Sequence, residues 1–187
     1  MDIFLNEAIK EAKKGLAEGG IPIGSVLVID DKIVGRGHNR RVQNSSAILH
    51  AEMDCLENAG RLSASDYKKA TIYSTLSPCD MCSGAILLYG IKKVIIGENK
   101  TFQGPEKYVQ SRGVKVEVAD NQECCKLMES FIKESPELWN DFFISHFFTP
   151  FTFPSLFPSF SLLLNLFFFF SFSLSFPLSL PTSHSPP

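Results

Sequence analysis

After Asp141 the sequence contains no aspartate, glutamate, lysine or arginine. Residues 144–187 are 44 uncharged positions, of which 12 are Phe, 10 Ser, 8 Leu and 7 Pro. All 18 Lys+Arg, all 20 Asp+Glu and all 5 cysteines therefore belong to residues 1–143. Other scarcities bound the class of protein. There is no basic excess: the net charge is −2, which argues against a protein held on nucleic acid by neutralising phosphates. Five unevenly spaced cysteines are too few for a secreted disulfide scaffold. No apolar leader opens the chain, because Met1-Asp2-Ile3-Phe4-Leu5-Asn6-Glu7 meets charge at once. A soluble protein of a reducing compartment is expected, in the cytoplasm and also in the nucleus. The length of 187 residues suits one domain of ordinary size.

The uncharged tail admits three readings. Ser159 to Phe176 is free of proline and long enough to raise a membrane anchor, but serines interrupt it, Asn165 lies within it, and no Lys or Arg flanks it. A low-complexity interaction segment is the second, although such segments are seldom this apolar. The third rests on the genetic code: Phe, Ser, Leu and Pro all have codons beginning with two pyrimidines, so a pyrimidine-rich non-coding tract read in frame gives this composition. The third is preferred, because the Pro-laden Phe/Ser text has neither helical nor strand period. The expected division is a folded domain over 1–143 and a disordered or artefactual tail over 144–187, with no membrane partner.

Within the first 143 residues, Leu5, Ile9, Ala12 and Leu16 recur at helical spacing, and Gly19-Gly20 stops that helix. Val26 to Ile29, Asp30-Asp31 and Lys32 to Gly35 read as a tight β-hairpin. Helices are expected over His50–Ala59, from Ser77-Pro78 to about Tyr89, over Glu123–Lys133, and from Ser135-Pro136 onward. Strands are expected over Ala70–Leu76, Val94–Gly97 and Val114–Val118. A helix, a hairpin and then alternating strands and helices make an α/β fold: a three-layer α/β/α sandwich around a mixed sheet of about five strands.

The strongest chemical signal is His50-Ala51-Glu52 followed by Pro78-Cys79-Asp80-Met81-Cys82. Two cysteines three apart at a helix start direct their sulfurs the same way, and the positive end of the helix dipole favours thiolates there. With one imidazole they supply three zinc ligands, which leaves the fourth tetrahedral position for water, the catalytic arrangement. Glu52, two residues after the histidine, lies near such a metal without binding it, where a general acid/base belongs. A lone Cys-x-x-Cys also fits a redox pair or half of a structural zinc site, with Cys55, Cys124 or Cys125 as a fourth ligand. Cys124 and Cys125 fall in a helix where a small apolar role is more common, and Cys55 shares a helix with His50.

With these residues in view, the sequence resembles the cytidine deaminase-like superfamily, and within it the fungal-type cytosine deaminases acting on the free base. Beyond the zinc motif the resemblance rests on Glu18-Gly19-Gly20-Ile21-Pro22-Ile23-Gly24, Gly35-Arg36-Gly37-His38-Asn39, Thr75-Leu76-Ser77, Tyr89-Gly90-Ile91 and Gly97-Glu98-Asn99. Phe102, Glu106-Lys107-Tyr108 and Arg112-Gly113 extend it. It covers residues 2 to about 139.

The resemblance implies zinc on His50, Cys79 and Cys82, with Glu52 as the catalytic proton carrier. It implies hydrolytic deamination of cytosine to uracil and ammonia in pyrimidine salvage, conversion of 5-fluorocytosine, and a homodimer. Asn39 would hydrogen-bond the pyrimidine, and Phe102 and Trp139 would pack against its ring. Ile23, Leu76 and Ser77 would complete the wall, with the backbone N–H of Ala51 as a donor. Taken singly, Phe102, Ile23 and Leu76 read as ordinary core, Asn39 as a turn residue, and His38 as a packed or surface imidazole. Two departures stand out. Ala51 replaces an expected glycine, and the acidic C-terminal cluster of the family, one carboxylate of which reaches the substrate, is reduced here to Asp141 before the tail. Two further readings are an RNA-acting adenosine or cytidine deaminase (or its partner subunit) and a non-enzymatic zinc-binding module.

Overall fold

A computed structural model describes residues 2–141; the expectations for 144–187 lie outside the described residues. Helix α1 (Ile3–Ala17) starts at Asp2, whose carboxylate accepts from the N–H groups of Phe4 and Leu5. It ends just before Gly19, at φ +83°. Strands β1 (Gly24–Ile29) and β2 (Lys32–His38) form the expected hairpin. Its two loop residues, Asp30 and Asp31, both adopt left-handed backbone at φ 47° and 58°, as a type I′ turn requires.

The remaining elements alternate. Helix α2 (Ala51–Ala59) and a short α3 (Ala64–Lys69) lead into β3 (Thr71–Leu76). Helix α4 (Asp80–Tyr89), stopped by Gly90 at φ 75°, leads into β4 (Lys93–Glu98). Helix α5 (Glu106–Ser111) precedes β5 (Lys115–Val118), and α6 (Gln122–Glu134) and α7 (Pro136–Asn140) follow. The six-residue helices α3 and α5 were absent from the sequence expectation, being too short to display a 3.6-residue period. A local signal for α3 exists all the same: Ser63 caps it by accepting from the Asp66 N–H.

The sheet order is β2-β1-β3-β4-β5. β1 is antiparallel to both neighbours, whereas β3, β4 and β5 are parallel and need the α4 and α5 crossovers to return the chain. Alternation along the strands builds two cores. Val26, Val28, Tyr73 and Ile95 meet Leu5, Ala8 and Ile9 of α1 and Cys124 of α6 on one face. On the other face Leu27, Ile72, Val94 and Ile96 meet residues of α2 to α5, among them Cys55, Tyr67, Ile86 and Val109. The three layers and five strands are those expected.

One close approach positions the site. A Cβ on Gly37 would stand 2.7 Å from the Asp54 carbonyl carbon, so β2 lies backbone to backbone against α2. That contact brings the start of α2 beside Asn39, at the end of β2. A third apolar cluster gathers Ile21, Ile23, Ala51, Leu76, Met128, Phe131 and Trp139, with Phe102 packed on it. Part of it lies where β3 ends, the edge at which parallel sheets usually place their ligands.

Candidate active site

His50 and Cys79 are the N-cap residues of α2 and α4, and Cys82 lies in the first turn of α4. The two helix starts converge, so that His50 Nδ1 lies 3.4 Å from Cys79 Sγ. The ligand atoms of His50, Cys79 and Cys82 all lie within 4.8 Å of one another, the one such group of three metal-binding side chains among the described residues. Zinc bonds of about 2.3 Å to sulfur and about 2.0 Å to nitrogen at the tetrahedral angle separate donors by roughly 3.5–3.8 Å. The donor set therefore fits zinc in its chemistry, and the His50–Cys79 pair also in its spacing. Cys55, Cys124 and Cys125 are buried and stand outside this group, which leaves three ligands and an open position.

Glu52, in the first turn of α2, is buried beside the triad. Ser74 Oγ, from the middle of β3, donates to its Oε1 at 2.9 Å, and Cys82 Sγ lies 3.3 Å from its Oε2. Burial, and then the neighbouring Cys79 thiolate, push the Glu52 carboxyl above the usual carboxylate range. The two site thiols hold one proton between them: the pKa of Cys79, beside the Cys82 sulfur and the His50 imidazole, falls to about 4. Cys82, whose S–H donates to Glu52 Oε2, is pushed well up by the neighbouring Cys79 sulfur and by burial. The site thus holds a ready thiolate and a carboxyl able to carry a proton.

Above these groups lies a small cleft lined by Ile23, Asn39, Ala51, Leu76 and Ser77 together with His50, Glu52 and Cys79. The Asn39 carbonyl Oδ1 accepts from the Arg41 N–H at 3.1 Å, which fixes the amide; Nδ2 is buried and has no partner. As the first residue of α2, Ala51 presents a backbone N–H that no helix carbonyl can take. Trp139 is buried and Phe102 half-buried in the apolar cluster that shares Ile23, Ala51 and Leu76 with the cleft, and neither of the two lines the cleft itself. Asp141 is exposed at the end of α7 and is not brought to the cleft.

The model of the cytidine and deoxycytidylate deaminase zinc-binding region matches residues 2–98. The chain belongs to that family. A cytosine deaminase of Candida albicans is 56% identical over 138 residues, 73% of this chain and 92% of the relative. A tRNA-specific adenosine deaminase of Streptococcus pyogenes is 39% identical over 147 residues, 72% of this chain and 91% of the relative. Among solved structures, one from work on A-to-I editing by tRNA:A34 deaminases superimposes with a TM-score of 0.56 at 27% identity, covering 66% of this chain and 97% of that one.

Within this deaminase frame, sequence reasoning gave no role to several residues. Ser74 orients Glu52, Asp54 Oδ2 accepts from the His38 N–H at 3.1 Å next to Asn39, and Glu106 accepts from Ser77 Oγ at 2.8 Å. The only signal for Ser74 was a polar residue inside a strand whose other residues from 72 to 76 are also buried. His38 is a packed imidazole, with Nδ1 3.3 Å from Glu11 and Nε2 2.9 Å from Glu18.

Proposed function

We propose that this chain is a cytosine deaminase, a hydrolase acting on the C–N bond of a cyclic amidine that turns free cytosine and water into uracil and ammonia. The observation that carries the reading is Glu52, held by Ser74 against the His50–Cys79–Cys82 group beneath a cleft with one unpaired amide donor, Asn39 Nδ2. The 56% identity to a cytosine deaminase supports the choice of substrate.

His50, Cys79 and Cys82 would hold the zinc, which when bound would supply the Lewis acidity that makes water a nucleophile near neutral pH. Glu52 takes a proton from the attacking water and passes it to ring N3; it then takes the second proton from the new C4 hydroxyl and gives it to the amino group, so that ammonia leaves as the C4–N bond breaks and the C4 carbonyl forms. Its raised pKa suits a group that must both accept and release that proton. Asn39 Nδ2 and the Ala51 N–H donate to the pyrimidine, and Ile23 and Leu76 exclude water from its faces. Phe102 and Trp139 close the cleft, leaving no room for a ribose. Conversion of 5-fluorocytosine and a place in pyrimidine salvage follow from the same substrate.

The deaminase domain is residues 1–143; it acts in the cytoplasm and also in the nucleus, and needs neither nucleic acid nor membrane. Among the described residues no helix is long and apolar enough to cross a bilayer. A homodimer is supported by a groove of mixed character beside α2 to α4, where Met53, Leu56, Leu62, Tyr67, Leu88 and Tyr89 stand with Glu57 and Arg61, and where Leu88 is 79% exposed.

The second reading, a tRNA adenosine deaminase, has the 39% identical relative in its favour. Ammonia release from cytosine, cytidine and a tRNA anticodon stem separates the two. Fast turnover of the free base alone is expected. Turnover of the stem with an inert free base would replace this reading with the second.

A further inference from the structure

The loop between β4 and α5, residues 99–105, carries Phe102 into the apolar cluster around Trp139. Both of its ends are tied down. At the start, the fully buried Glu98 carboxylate accepts from the N–H groups of Lys100 at 2.6 Å and Thr101 at 3.0 Å, and from the Thr101 hydroxyl. At the far end stands Glu106, the first residue of α5. Its carboxylate accepts from Ser77 Oγ at 2.8 Å and from Asn99 Nδ2 at 3.1 and 3.3 Å, with Gln103 Nε2 at 3.5 Å. Ser77 Oγ in turn accepts from the Gly104 N–H at 3.1 Å. A Cβ on Gly104 would overlap the Pro78 carbonyl, so the loop backbone lies directly on the Ser77-Pro78 turn that leads to Cys79.

One carboxylate therefore gathers both ends of the loop and the wall of the cleft. We propose that Glu106 is a positioning residue, a buckle that holds the Phe102 loop against Ser77 and so sets how tightly the lid of the cleft closes over the substrate. The inference rests on the deaminase reading above. Glu106 does not line the cleft; it acts through Ser77, Asn99 and the loop. Because every donor it holds is neutral, its charge is spent on ordering groups that otherwise drift apart, each bond being of the charge-assisted kind. A lid over the ring faces contributes binding that ground state and transition state share, so its loss belongs in KM rather than in kcat.

The test compares Glu106→Ala, Glu106→Gln and Asn99→Ala with the unaltered full chain. Glu106→Ala is expected to raise KM for cytosine about tenfold while kcat stays within about threefold and bound zinc is unchanged. Glu106→Gln, which keeps the volume and one acceptor, should fall between. Asn99→Ala should have little further effect once Glu106 is gone, because the two share one interaction. Trp139 is the only tryptophan, so acrylamide quenching of its fluorescence reads the lid without any turnover. Quenching should increase in Glu106→Ala, and hydrogen exchange at 99–105 should quicken. A KM and quenching equal to those of the unaltered chain in Glu106→Ala overturn the proposal. So does a loss confined to kcat and thermal stability in both Glu106 variants, which marks a merely structural carboxylate. If the unaltered chain ignores cytosine, the deaminase reading fails on its own, and quenching and exchange still report whether Glu106 holds the loop.

Discussion

His50 Nδ1 and Cys79 Sγ lie 3.4 Å apart across 29 residues of chain, each as the cap of its own helix. The pairing works because α2 and α4 pack on the same face of the sheet with their N-termini together. Both dipoles then favour anionic sulfur at one point, and the first turn of α4 sets the second sulfur beside the first. Ligand geometry is thereby a property of two helix starts rather than of a flexible loop.

Removing either sulfur should remove the metal. Cys79→Ala and Cys82→Ala are expected to lose most of their zinc and all measurable deamination, whereas Cys55→Ala keeps both. Elemental analysis of the purified variants decides the matter; full zinc in Cys79→Ala or Cys82→Ala would sink the assignment.

Stripping the metal should expose an unusual thiolate. With a pKa of about 4 against an ordinary value of 9.0, Cys79 is already ionised from pH 6 to 8. The rate of its alkylation by iodoacetamide after chelation should therefore stay flat across that window, while an ordinary thiol quickens about tenfold per pH unit. Cys55 and Cys124, pushed up to about 12 by burial, should not react. Added zinc should protect Cys79. A tenfold rise per unit at Cys79 in peptide mapping would show that the sulfur pair does not divide its proton as described.

Glu52→Gln preserves shape and the bond from Ser74 but cannot carry a proton. It should retain zinc and lose about 10²–10⁴-fold in kcat. Ser74→Ala leaves the carboxylate in place without its 2.9 Å donor, and a smaller loss of about tenfold is expected. Steady-state kinetics with zinc quantified in each variant provides the check; near-normal turnover in Glu52→Gln would assign the proton to another group.

How legible this site was depended on whether chemistry or packing placed each residue. His50, Glu52, Cys79 and Cys82 were readable because metal ligation demands particular atoms at fixed spacing, and the structure gathers all four. Ile23 and Leu76 were ambiguous by nature: the same residues are core and cleft wall, since the apolar cluster is the back of the cleft. The roles of Ser74 and Glu106 were invisible, because they come from β3 and α5 meeting other elements, and no local pattern encodes that meeting. The hairpin could be read from Asp30-Asp31, whereas α3 and α5 were too short to show a period. Asp141 had no such guide. It follows a five-residue helix, and the structure leaves it exposed.

The seam between β2 and α2 should tolerate no side chain. Gly37→Ala forces a methyl toward the backbone of Asp54 and Cys55, so the helix must move outward. Overpacking of this kind costs about 1–3 kcal/mol, and more where the obstacle is backbone. A clear drop in Tm is expected, with weaker zinc retention because His50 begins that helix. Gly84→Ala, in α4 with open space around its Cβ position, should leave Tm unchanged or raise it. Thermal melts of the two variants side by side separate steric exclusion from a general sensitivity to losing glycine.

Asn39 gives the sharpest test of the binding mode. Its Oδ1 is engaged by the Arg41 N–H, and its buried Nδ2 has no protein partner, so the amide is oriented with one hydrogen-bonding duty left over. A substrate carbonyl is the natural acceptor for it. Asn39→Asp keeps size and the bond to Arg41 but replaces the donor with an acceptor. It should therefore fold and bind zinc but melt lower than the unaltered protein, because the new carboxylate is buried in the cleft with Glu52 and Cys79, while kcat/KM for cytosine falls by more than in Asn39→Ala. The alanine variant loses one hydrogen bond worth about 1–3 kcal/mol, whereas the aspartate adds repulsion against the same carbonyl. If Asn39→Asp instead proves the more active of the two, the amide does not donate to the ring and Asn39 serves only the turn at Arg41.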